Sequence, residues 1–123
     1  MIRLALIVGL GGFLGSSARF LVQQFFVRFI PSIGVAGTFA ANILGCLIIG
    51  IFIAQSGKMQ REWMLFLTSG FCGGFTTFSA FAFENTNFII NDQNGQAALY
   101  IGLSIMMGLL ATYIGMLIGK SII

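Results

Sequence analysis

The sequence predicts an all-α membrane protein with four transmembrane helices per subunit, and three observations carry that expectation. Of its 123 residues, 58% are apolar and only 7% charged, with a mean hydropathy of +1.01. A soluble domain could not cover its surface with so few charges. Residues 34–54, 63–83 and 97–119 contain no charged side chain, and each run has the roughly 20 residues that a helix needs to cross a bilayer. A fourth apolar run begins at Leu4 and is crossed only by Arg19.

The first helix is expected over 4–27. Arg3, the apolar stretch after it and "GSSA" imitate a secretory signal. Three further spans follow directly, so this helix is expected to stay uncleaved. The link "RFIPSI" holds Pro31, which ends one helix and opens the next. The second helix is expected over 34–54. "QSGKMQRE" then forms a charged loop, and Trp63 starts the third helix at interface depth, where its ring is at home. This third span reaches about residue 90. "NDQNGQ" reads as a turn with Asn94–Gly95 at its tip, and the fourth helix covers 97–119 ahead of Lys120. The four spans form one integral-membrane domain, 1–123, and consume most of the chain. Neither a nucleotide-driven engine nor a receptor module is therefore expected.

An even number of spans puts both ends on one side, with Arg3, Lys58, Arg61 and Lys120 against Arg28 and Arg19. That bias favours cytoplasmic termini, although so sparse a count leaves insertion in both orientations open. Small residues recur at helical spacing: Gly11 and Gly15, Gly12 and Ser16, then Gly37, Ala41 and Gly45, then Ser104, Gly108 and Thr112, and finally Gly115 and Gly119. In lipid such faces let backbones approach closely. A subunit this small encloses little interior, so a pathway between two copies is expected, and with it a dimer.

Enzymatic chemistry finds no support. There is no histidine, and Cys46 and Cys72 are isolated within spans, where thiols act as small apolar groups. The net charge of +3 forms no basic run for nucleic acid. The polar groups inside the spans are mostly neutral donors. Thr38 and Asn42 share a face of the second helix, Thr76, Thr77 and Ser79 lie on the third, and Tyr100, Ser104 and Thr112 share a face of the fourth. Singly they read as interhelical glue; together they read as a lined path. Glu84 is the one acidic residue within a span and a functional candidate by default. It is open to three readings: a titrating group, a partner of Arg19, or an acceptor of backbone donors. Arg19 is open to two: snorkelling to the interface, or positive potential at a pore mouth.

The stretch "GFCGGFTTFSAFAFE", residues 70–84, is the most informative. Gly73–Gly74 followed by Phe75, Thr76 and Thr77 forms helix poorly, so the third helix is expected to break in mid-membrane. A break frees carbonyls from one half-helix and amide N–H groups from the next; in lipid these must pair or line a polar cavity. Carbonyls suit cations and half-helix N-termini suit anions. The competing reading is a close helix crossing that the glycines permit. Phe71, Phe75, Phe78 and Phe81 follow at helical spacing, and ring edges turned inward offer an anion partial positive charge.

That stretch, together with "AANILGC" around Asn42 and "GGFLGSSARF" ending in the first helix, resembles the Fluc or CrcB family of small fluoride channels over the whole chain. The resemblance implies an antiparallel, dual-topology homodimer with two pores. It would export fluoride passively across a bacterial inner (cytoplasmic) membrane as a multi-pass protein. Phe78 and Phe81 match the family's pore-lining phenylalanines, and Asn42 its pore asparagine. Ser79, Tyr100 and Ser104 fall on its polar track, with Thr112 a looser match. Arg19 matches an arginine of the vestibule, and Glu84 a family glutamate. Gly73 and Thr76 match positions whose backbone carbonyls, from both subunits, hold a central structural sodium ion at the dimer interface. Gly108 stands where some relatives carry a second serine, a departure at the outer end of the track. Two other readings stay open: a small proton-coupled antiporter of the multidrug type, working through Glu84, and a structural subunit without transport of its own. The antiporter class places its essential carboxylate in the first helix, whereas Glu84 is in the third.

Overall fold

The computed structural model describes residues 1–122. Helix α1 covers Ile2–Phe29 and α2 covers Ala36–Ala54. The third span, Arg61–Ile90, is composite. It opens as α3 (Arg61–Leu65), continues through π-helical turns over Phe66–Cys72 and a last α-turn α4 (Gly73–Phe75), stops, and resumes as α5 (Phe78–Ile90). Helix α6 covers Asn94–Ser121. All four spans are long and apolar enough to cross a membrane. No strand occurs among the described residues.

The helix ends differ from the sequence expectation in one instructive place. Asn94 and Gly95 belong to the first turn of α6. The chain reverses earlier, at Asp92, which holds φ at 58°. Asp tolerates that left-handed conformation better than most side chains.

Two parallel pairs of helices form the subunit. In the first, α1 crosses the π-helical stretch and α4. A Cβ added to Gly70 would lie 3.0 Å from the Cα of Gly11, and one on Gly74 would lie 3.0 Å from the Cα of Gly12. In the second, α2 packs along α6, where a Cβ on Gly115 would strike the carbonyl of Leu47. The C-terminal ends of α2 and α6 meet. Gln55, just past α2, donates to the carbonyls of Gly119 and Ile122, and Lys58 donates to Ile122 at 3.3 Å. Those carbonyls are among the orphans every helix end leaves. Large apolar side chains such as Leu6, Phe13, Phe83 and Leu109 turn outward, as lipid permits and water would not. The one ion pair among the described residues is Arg3–Glu62 at 3.7 Å, exposed and therefore of little worth.

Candidate functional site: a cavity at the helix break

The third helix breaks, but not at its glycines. Gly73 and Gly74 remain helical, and the two non-helical residues are Thr76 (φ −88°, ψ 157°) and Thr77 (φ −148°, ψ 112°). Gly74 serves the crossing with α1 instead, its backbone lying against Gly12, so both readings of the motif hold, at adjacent positions. The threonines suit the break because their hydroxyls bond to the backbone on either side of it. Thr76 donates to the carbonyl of Cys72 at 2.9 Å, and the Thr77 hydroxyl accepts from the amide of Ala80 at 3.2 Å. The latter is the only side-chain N-cap among the described helices. The physical reason is depth: α5 alone begins inside the bilayer, where no water or headgroup can take its amides.

Asn42 on α2 pins the break from outside. Its Oδ1 accepts from the amide of Thr77 at 2.7 Å, and its Nδ2 donates to the carbonyl of Thr77 at 3.2 Å. The side chain thus imitates a strand partner for one residue. One Nδ2 hydrogen is left over.

A cavity of about 420 Å³ opens beside this pin. Six of the residues expected in the anion pathway or the sodium site line it: Asn42, Gly73, Thr76, Phe78, Phe81 and Ser104. No charged side chain does. The break divides the phenylalanine ladder. Phe71 and Phe75 stack on each other, 5.7 Å between centroids, with Phe75 buried. Phe78 and Phe81 face the cavity, their centroids 5.8 Å apart. Phe78 is 79% exposed, so this wall of the cavity lies at the surface of the single chain. Phe78 is also the first residue of α5. The positive end of that half-helix dipole therefore stands at the cavity wall.

The remaining candidates surround the cavity. Ser79 lies beside the cap, its hydroxyl 3.2 Å from that of Thr77. Tyr100 sets its ring edgewise against Phe81, 5.1 Å between centroids, and donates its hydroxyl to Glu84 at 3.0 Å. Thr38 donates to the other carboxylate oxygen of Glu84 at 3.0 Å, and Gln23 donates to Thr38 at 3.4 Å. Of the three readings of Glu84, pairing with Arg19 and acceptance from backbone are not realised; hydroxyls take both oxygens. Glu84 and Thr38 line a second cavity, of about 310 Å³, beneath Pro31. Arg19 donates its Nε to the carbonyl of Gly74 at 3.0 Å. Thr112 lies apart, its hydroxyl bonded to Gly108 in its own helix at 2.9 Å. The missing side chain of Gly108 leaves Cys46 alongside: a Cβ there would stand 3.5 Å from its sulfur.

Sequence reasoning passed over two groups. Gln23 links α1 to the Glu84 cluster; its signal was an amide inside a span, four residues after Arg19. Asn85 is buried with its Oδ1 unpartnered and its Nδ2 bonded to Phe81. Among the described residues no group of three His, Cys, Asp or Glu could hold a metal. The carbonyls of Gly73 and Thr76 accept no hydrogen bond from the described residues. They are hard, neutral oxygen donors, and such donors fit an alkali cation.

Residues 6–116 match the family model described as CrcB-like protein, Camphor Resistance (CrcB). The chain is similar to curated relatives named Fluoride-specific ion channel FluC. The relative from Flavobacterium psychrophilum is 39% identical over 118 residues, covering 94% of this chain and 95% of that one. The relative from Gloeothece citriformis is 43% identical over 117 residues, with 94% and 95% covered. One from Chlorobium phaeobacteroides is 42% identical over 122 residues, with 94% and 91% covered.

Proposed function

This chain belongs to the CrcB-like family, and on that premise we propose that it is a passive, fluoride-selective channel exporting fluoride across the bacterial cytoplasmic membrane. We propose further that it works as an antiparallel homodimer with two pores. The observation that supports the reading best is the neutral, donor-lined cavity at the helix break, where Asn42, Phe78, Phe81 and Ser104 meet. Conduction needs binding that is favourable but shallow. Neutral donors meet that need, whereas a buried lysine or arginine would trap the anion. Fluoride enters a vestibule made positive by Arg19. It trades water for the free Nδ2 hydrogen of Asn42, the hydroxyl of Ser104 and the edges of Phe78 and Phe81. The dipole of α5 favours negative charge at the same place. Tyr100 and Ser79 continue the track, and Thr112 is its outermost candidate. A larger halide fits such a passage poorly.

Gly73 and Thr76 would hold a structural sodium ion through backbone carbonyls of both subunits, and the exposure of Gly73 supports access from a second copy. Bound there, the ion supplies positive charge that joins the subunits. Liposomes loaded with fluoride test the transport class. Rapid efflux with a potassium shunt and no proton gradient is the expected result. Exchange that requires protons and disappears in Glu84→Gln would support an antiporter instead, and no flux at all would support a structural subunit.

A further inference from the structure

Arg19 holds a position in the fold that neither snorkelling nor a field at the pore mouth requires. Where α4 ends, the carbonyls of Gly73, Gly74, Phe75 and Thr76 lose the amides that a continuous helix would bring them. The amide of Thr77 turns to Asn42 and that of Ala80 to the Thr77 hydroxyl. Of these four carbonyls, Gly74 alone receives a donor from the described residues, the Nε of Arg19 at 3.0 Å. The guanidinium reaches it along a close crossing. One turn earlier on α1, a Cβ at Gly15 would strike the carbonyl of Phe71, and the backbones of Gly12 and Gly74 nearly touch. Arg19 is half-buried, and its Nη groups make no hydrogen bond among the described residues.

We propose that Arg19 is a positioning residue that fixes the helix break. By holding the Gly74 carbonyl, it clamps the last turn of α4 from α1, as Asn42 clamps Thr77 from α2. The two clamps act on one short segment, residues 74–77, from two different helices. A guanidinium Nε–H is directional and fixed in its plane, whereas an ammonium is a compact point charge. Lysine would therefore keep the charge and lose the clamp. The inference goes beyond the proposed transport function and does not depend on which ion the cavity carries.

Amide hydrogen exchange over residues 76–80 of the reconstituted protein tests it, in wild type, Arg19→Lys and Arg19→Gln. Both variants are expected to raise exchange there by about tenfold or more, the loss of a hydrogen bond to a charged donor. Amides in α2 and α6 should keep their wild-type rates. A role through charge alone predicts that Arg19→Lys leaves the break at wild-type exchange, and that result would overturn the inference. The unmutated protein gives a second reading should either variant fail to fold. The Arg19 Nε–H, followed by nitrogen-15 NMR, is expected to be protected from solvent exchange, and a freely exchanging Nε–H would overturn the inference as well.

Discussion

The α2–α6 pair and the broken third span are made from similar residues, yet one is continuous and the other is not. Helix α6 carries Gly102, Gly108, Gly115 and Gly119 and runs unbroken for 28 residues. The third span carries Gly70, Gly73 and Gly74 and stays helical through all three. Glycine by itself therefore does not break a membrane helix, and at Gly70, Gly74, Gly115 and Gly119 it marks a close approach. A span breaks where side chains stand ready to take the backbone groups that the break releases. The third span has Thr76 and Thr77 within it, Asn42 across from it and Arg19 behind it. In α6 the hydroxyl of Thr112 merely bonds back to its own helix.

The largest effect that would sharpen this contrast is expected from Asn42→Leu. It strands the amide of Thr77 in a low-dielectric site, at about 1–3 kcal/mol, and removes the second donor of a carbonyl that keeps its helical bond as the N-cap of α5. Both fluoride flux and resistance to thermal unfolding should fall. Wild-type stability in that variant would show that the break stands without its pin. Next comes Gly115→Ala, where the new methyl meets the backbone of Leu47. Overpacking of this kind costs about 1–3 kcal/mol. Its melting temperature should drop while flux per folded channel holds, because Gly115 is outside the cavity lining. Flux loss in a fully stable Gly115→Ala protein would mean that the α2–α6 pair is not the inert scaffold described here.

Phe81→Ile keeps apolar bulk and removes the ring edge. An edge interaction worth about 0.5–1.5 kcal/mol corresponds to a flux lowered up to about tenfold, with an intact fold. Equal flux in liposomes would remove the ring from the pathway. The smallest effect belongs to Thr112→Val. A hydroxyl bonded within its own helix is worth about 0.5–1.5 kcal/mol at most, so flux should stay near wild type. A large loss would extend the track outward along α6.

What the sequence made legible follows the same division. The four spans were readable because charge-free runs of membrane length have few alternatives. That the third helix breaks was readable from residues 70–84 as well. Within the stretch 73–77 expected to break, the non-helical residues are Thr76 and Thr77 and not the glycines, because intrinsic propensity is a local property and Gly74 is already committed to α1 at Gly12. Part of the cavity lining could be named, among it Asn42, Phe78, Phe81 and Ser104, but the bonds these residues make could not. Asn42 meets Thr77 across 35 residues and Arg19 meets Gly74 across 55. No periodicity encodes such pairs. Glu84 shows the same limit: its place within a span was evident, whereas its choice of Thr38 and Tyr100 over Arg19 depends on how α2 and α6 are placed.

The central claim is that a neutral, donor-lined cavity at a pinned helix break passes a small halide and rejects a larger one. Fluoride and chloride efflux from liposomes holding the purified wild-type protein, compared at equal gradients with a potassium shunt, tests it most directly. The account predicts rapid fluoride efflux with chloride retained. Equal release of both anions, or retention of both, would contradict it.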